Sequence, residues 1–166
     1  MTDFLYTLAF IKRDNNILMV NRQKNPWQGM WNGVGGKRLK DESPLECIVR
    51  EIEEETGIKV SSNEVHFKGV CTWNDQFKAN SSGLYIFLVE LPSKFEFVTP
   101  KLTPEGILDW KTIDWISSYD NLGVAYNIPY FIGKVLHDSN CYRYDCIFNG
   151  NILEEVKESE IACGGL

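Results

Sequence analysis

The chain is short of everything that marks a membrane, secreted or polyanion-binding protein. Its apolar runs fall far below the roughly 20 residues a membrane-spanning helix needs. The opening MTDFLYTLAFIKRD carries Asp3 where a signal peptide is basic and stops being apolar at Lys12, so no targeting or membrane segment is expected. Basic residues are in deficit, with 17 Lys plus Arg against 23 Asp plus Glu and a net charge of −6. Such a molecule repels a nucleic-acid polymer as a whole. There are 2 histidines, His66 and His137, far apart in the chain, and neither is given a role. The 5 cysteines, Cys47, Cys71, Cys141, Cys146 and Cys163, are odd in number and contain no Cys-x-x-Cys pair. Neither a zinc site nor a disulfide framework is expected, and a reducing cytoplasm suits the chain best. The sequon Asn80-Ser81-Ser82 carries no weight without signs of secretion.

What is present is ordinary globular text: 166 residues, 43% hydrophobic and 13% aromatic. That length and composition suit one domain with a substantial core, placed at residues 1–157 with a tail at 158–166. LYTLAFI, a turn at Asp14-Asn15-Asn16 and ILMV read as a strand hairpin. A loop with Pro26, Gly29, Gly33, Gly35 and Gly36 follows. Strand-like runs stand at 64–73, 83–91, 106–115 and 141–149, with a helix at 128–137 and a further strand beginning after Glu154. No repeat or linker interrupts them. Strands mixed with two helices predict an α/β (α+β) mixed sheet with helices on its faces.

The clearest helix runs from Ser43 to Gly57. Ser43 caps it, Pro44 takes the first helical position, Glu46 completes a capping box and Gly57 stops it. At 100° per residue Leu45, Ile48, Val49 and Ile52 form the core stripe. Glu51, Glu54 and Glu55, three and four residues apart, put their carboxylates on a second face. Such a cluster is either a solvated acidic face or a cation site. Its place in the C-terminal half of the helix, where the macrodipole disfavours anions, favours an offsetting hard divalent cation. Arg50 lies four residues before Glu54, and the glycine loop upstream allows backbone to approach a metal or phosphate. That loop is no Walker A motif, since Trp31 stands where its first glycine belongs and Arg38 follows Lys37. The dinucleotide fingerprint fails too, with Arg38 at its third glycine.

Read whole, residues 36–58, GKRLKDESPLECIVREIEEETGI, resemble the Nudix box, Gly-x5-Glu-x7-Arg-Glu-apolar-x-Glu-Glu-x-Gly-apolar, with every specified position filled. At average residue frequencies a chance match is on the order of one in ten million. The resemblance implies an αβα sandwich and hydrolysis of nucleoside diphosphates linked to another group. It implies that Glu51, Glu54, Glu55 and the Gly36 carbonyl hold magnesium or manganese, that Arg50 orients the glutamates, and that Glu42 pairs with Arg50. Metal-polarised phosphate and a metal-activated water then carry the reaction, with Glu51 or an acid outside the box as base.

LYTLAFI, ILMVNR and WNGVGGK also resemble the MutT-like 8-oxo-dGTP diphosphatases. That likeness implies that Arg22 contacts nucleotide, that Asn32 and Asn127 (in AYNIP) read a purine, and that Glu105, in the loop before Trp110, approaches the metals. Each has a plainer reading: Arg22 as a surface charge, Asn32 as a turn residue, Asn127 as a helix cap, Glu105 as an exposed acid. The adjacent aspartate pair of the animal branch has no counterpart in GVAYNI. Lys37 either reaches a phosphate or is solvated, and Trp27, Trp31 and Trp73 either stack a base or fill core. The implied substrate is an oxidised or noncanonical purine nucleoside triphosphate, cleaved to monophosphate and pyrophosphate. ADP-ribose, a dinucleoside polyphosphate or a pterin triphosphate is the enzymatic alternative, and a non-catalytic ligand-binding module the other. The expected partner is a small nucleotide, with no nucleic-acid polymer and no membrane. The oligomeric state is left open.

Overall fold

The structure, a computed structural model, describes residues 3–74 and 82–164. Asn80 and Ser81 of the sequon lie outside the described residues. The elements in order are β1 (Tyr6–Arg13), β2 (Asn16–Arg22), β3 (Trp31–Asn32), α1 (Pro44–Thr56), a 3-10 turn (Ser62–Glu64), β4 (Val65–Trp73), β5 (Gly83–Glu90), β6 (Lys101–Thr103), β7 (Gly106–Thr112), α2 (Ile113–Ser117), α3 (Ile128–His137), β8 (Cys141–Asn149) and β9 (Ile152–Ile161). All strands join one mixed sheet in the order β6-β7-β2-β1-β5-β4-β8-β9, with β3 paired to β2. The β1–β5 and β4–β8 pairs are parallel and the others antiparallel.

The central strands read as continuous apolar runs because both faces are covered. Along β1, Leu8 and Phe10 point into one core, and Ala9 and Ile11 into the other. The first core is closed by α3 through Phe131, Ile132 and Val135. The second is closed by α1 through Ile48 and Ile52, with Leu45 and Val49 at its margin. This is the αβα sandwich expected. Among the described residues no helix is long and apolar enough to cross a membrane.

Local signals placed α1 well. Ser43 accepts the Glu46 N–H while the Glu46 carboxylate accepts the Ser43 N–H, and Gly57 sits at φ 79°, a left-handed stop that suits glycine.

Three expectations are corrected. The strand read at 106–115 ends at Thr112, whose hydroxyl accepts the Trp115 N–H and caps α2. The tail read from residue 158 is strand to Ile161, because β9 pairs along the whole of β8, Cys141 opposite Ile161. That register brings Cys163 to Cys141, and the two form a disulfide across a separation of 22 residues. A pair closing an antiparallel hairpin has no short spacing motif, so the cysteine pattern did not reveal it. Cys47, Cys71 and Cys146 are free and buried.

Candidate metal and nucleotide site

The glycine loop runs beside β1, and its backbone is pinned there. Thr7 donates its N–H to the Gly36 carbonyl at 2.9 Å, and Ala9 and Val34 exchange bonds just beyond. A Cβ on Gly35 would stand 2.1 Å from the Thr7 carbonyl oxygen, and one on Gly36 only 2.5 Å from the Glu51 carboxylate. Both positions therefore need glycine, one to pair with β1 and the other to receive an α1 carboxylate.

Arg50 organises the acidic face. Its Nε and Nη2 donate to the two Glu42 oxygens at 2.7 and 2.9 Å, its Nη1 to Glu51 at 2.7 Å and Glu54 at 3.0 Å, and Nη2 also to the Lys37 carbonyl at 3.2 Å. This fork geometry is one only arginine supplies. The Arg50 bonds hold the Glu42 carboxyl down at about 2, helped by the Leu39 N–H against the opposing effect of burial. The Glu42–Arg50 pair expected from the sequence is thus present.

The glutamates divide. Glu54 turns toward Arg50 and solvent, its side chain 60% exposed. Glu51 is largely covered, 13% exposed, and burial raises its carboxyl despite Arg50. Glu55 is pushed up to about 8, first by burial and then by the negative charges of Glu51 and Glu105, while Arg22 and the Gly35 N–H pull the other way. Glu51, Glu105 and Arg22 are thus near enough for their charges to act on Glu55. Glu105 reaches it from the β6–β7 turn, where its carbonyl accepts the Gln23 N–H at 3.0 Å. Arg22 is steadied by an Nε bond to the Pro26 carbonyl at 2.7 Å.

Among the described residues no three His, Cys, Asp or Glu side chains already stand as a coordination shell. Glu51 and Glu54 instead both accept from the Arg50 Nη1. The donor set still fits a hard divalent cation: carboxylate oxygens beside a glycine carbonyl, with a half-buried Glu55 that feels the charges of Glu51 and Glu105.

The remaining sequence candidates fall differently. Lys37 is exposed. Asn32 lies in β3 opposite Val20, and its side-chain oxygen accepts the N–H of Gly33 at 2.9 Å. Asn127 precedes α3 but makes no side-chain cap bond, and its Nδ2 instead points at Cys71 Sγ, 3.6 Å away. Trp31 lies under the Lys111 ammonium, 4.1 Å from ring centre to nitrogen. Trp73 ends β4 opposite Cys146. Trp27 packs edge-on against Tyr126 at 5.3 Å and near Phe148 at 6.2 Å. Tyr126, Phe148, Cys71 and Cys146 escaped the sequence reading because they meet only through the fold.

The registers put both groups at one end of the sheet. Arg22 opposite Gly106, Tyr6 opposite Leu84 and bridged to Lys37, Cys71 opposite Leu84, and Trp73 opposite Cys146 all lie there. The acidic group rises from the α1 face, and Asn127 with its aromatics from the α3 face. A ligand with an anionic part and a planar part can span that end.

The chain is similar to known proteins in sequence and in fold. A family model described as the NUDIX domain matches residues 5–129. The chain is 42% identical over 57 residues to a CTP pyrophosphohydrolase of Escherichia coli, covering 34% of this chain and 42% of that protein. It is 33% identical over 61 residues to an oxidized purine nucleoside triphosphate hydrolase of Mus musculus, covering 37% and 39% respectively. The matches thus span less than half the length of these curated relatives. A crystal structure of a Mutator MutT protein from Bacillus halodurans superposes with a TM-score of 0.70 at 26% identity, covering 92% of this chain and 95% of that one.

Proposed function

The chain belongs to the Nudix family, and from that footing we propose that it is a divalent-metal-dependent pyrophosphohydrolase that cleaves an oxidised or noncanonical purine nucleoside triphosphate to monophosphate and pyrophosphate. The observation that carries the reading is the acidic face of α1 beside the Gly35–Gly36 loop, where Glu51 lies against Gly36 and shares the Arg50 guanidinium with Glu54, and where the charges of Glu51 and Glu105 bear on a half-buried Glu55. Carboxylates crowded in that way suit a hard divalent cation.

Glu51, Glu54, Glu55 and the Gly36 carbonyl would hold the ion. Bound magnesium or manganese supplies neutralisation of phosphate charge and a more acidic water. The residues of the chain do the rest. Arg50 holds Glu51 and Glu54 until the ligand arrives, and Glu42 keeps the guanidinium from following them. Glu105, fixed on a tight turn, or Glu51 takes the proton of the attacking water. Arg22 and Lys37 face the phosphates as cations. Asn127, preceded by Tyr126 packed against Trp27, meets the base.

A second reading, a pyrimidine triphosphate, is favoured by the relative named for CTP. The test is magnesium-dependent hydrolysis of 8-oxo-dGTP, dGTP, dATP, CTP, ADP-ribose, a dinucleoside polyphosphate and a pterin triphosphate, with products identified. The highest kcat/KM on 8-oxo-dGTP with release of pyrophosphate supports the proposal. Preference for CTP selects the second reading, and cleavage of ADP-ribose alone rejects both.

A further inference from the structure

Cys71 on β4 and Cys146 on β8 stand on neighbouring parallel strands, their sulfurs 3.6 Å apart. They are 1% and 2% exposed. Asn127 directs its Nδ2 at Cys71 Sγ from 3.6 Å, where the Cys146 sulfur stands beside that of Cys71. Its own helix does not hold this amide, since no cap bond is made. Sulfur is a weak acceptor, but two sulfurs on a covered sheet face give the amide nitrogen a place that water cannot contest. The nitrogen is then committed inward, and Oδ1 is the polar atom left to a ligand. A carbonyl oxygen in that position accepts and cannot donate. Tyr126, the residue before Asn127, packs against Trp27, which also lies near Phe148.

We propose that Cys71, backed by Cys146, is a positioning residue that turns the Asn127 amide so that Oδ1 faces the ligand, making the pocket selective for a nucleobase edge that presents an N–H donor. This rests on the reading of Asn127 as a base contact. A site that hydrogen-bonds one ligand group discriminates strongly against the analogue lacking it, because a buried partner is then left unpaired.

The experiment compares wild type, Cys71→Ala and Cys71→Ser on 8-oxo-dGTP against dGTP, a pair in which N7 carries an N–H donor in the oxidised base and an acceptor lone pair in the normal one. The wild type favours 8-oxo-dGTP, and the ratio of the two kcat/KM values is the readout. Cys71→Ala lowers that ratio by about fivefold or more through KM, with kcat changed less than about twofold, while Cys71→Ser, which keeps an acceptor, restores the ratio. In parallel, the Asn127 side-chain amide resonances are followed in a 15N-labelled sample. They move in Cys71→Ala and stay near the wild-type positions in Cys71→Ser. An unchanged ratio in Cys71→Ala, a wild type that prefers dGTP or does not discriminate the pair, or amide resonances that ignore the substitution would each overturn the proposal. If no triphosphate is hydrolysed at all, the functional reading fails and the amide resonances alone decide the positioning role. Should Cys71→Ala not fold, Cys71→Val, equally unable to accept, takes its place.

Discussion

Replacing Glu42 with Gln tests how much the acidic face depends on its buttress. The Glu42 carboxylate accepts two Arg50 bonds and the Leu39 N–H, with side chains only 12% and 23% exposed for Glu42 and Arg50. Its pKa falls from 4.5 to about 2. At 1.36 kcal/mol per pH unit this drop is worth about 3 kcal/mol of preference for the ionised form, and partial solvent access reduces it to about 2 kcal/mol. The sign follows from linkage. A carboxyl depressed on folding contributes stability that is full above pH 4.5 and drains away as the pH falls toward 2. Glu42→Gln keeps the shape and one acceptor but loses the charge. Urea unfolding should therefore show a loss of about 2 kcal/mol at pH 7, shrinking steadily below pH 4.5. A loss under about 0.5 kcal/mol at pH 7, or one that does not change with pH, would refute the reasoning.

The other predictions concern the loop, the disulfide and the base. Gly35→Ala, whose Cβ meets the backbone oxygen of Thr7 at 2.1 Å, should cost about 2 kcal/mol or more by thermal unfolding. Gly36→Ala meets only the movable Glu51 carboxylate, so it should lose hydrolysis far more than stability. Cys163→Ser opens a cross-link spanning 22 residues, worth about 3 kcal/mol by loop entropy. Wild type in reductant should match that variant in denaturant midpoint. Asn127→Ala should raise KM for purine substrates and leave pyrimidine substrates alone, as steady-state kinetics on both will show.

The sequence was most legible where the determinants are local. Ser43, Pro44, Glu46 and Gly57 lie within or next to the element they bound, so α1 could be delimited before the fold was known. The Arg50–Glu42 pair was legible as part of the resemblance carried by residues 36–58. The boundary at Thr112 was not, because the apolar text continues across it and only a hydroxyl cap marks the change from strand to helix. Glu54 shares with Glu51 the Arg50 Nη1 as donor, and what the helix spacing did not give is how exposed its side chain stays, 60% against 13% for Glu51. Trp27, Tyr126, Phe148 and the two thiols come from segments far apart in the chain, and only strand register unites them. The Cys141–Cys163 bond was hidden for the same reason.

The most direct test of the central claim, that the inner acidic face of α1 is a catalytic metal site, is magnesium-dependent hydrolysis by Glu55→Gln against wild type. The account predicts a fall of about a thousandfold or more in kcat/KM, with the far-ultraviolet spectrum and unfolding midpoint retained, and a wild type silenced by a chelator. A variant that hydrolyses as fast as wild type, or a wild type indifferent to the chelator, would contradict it.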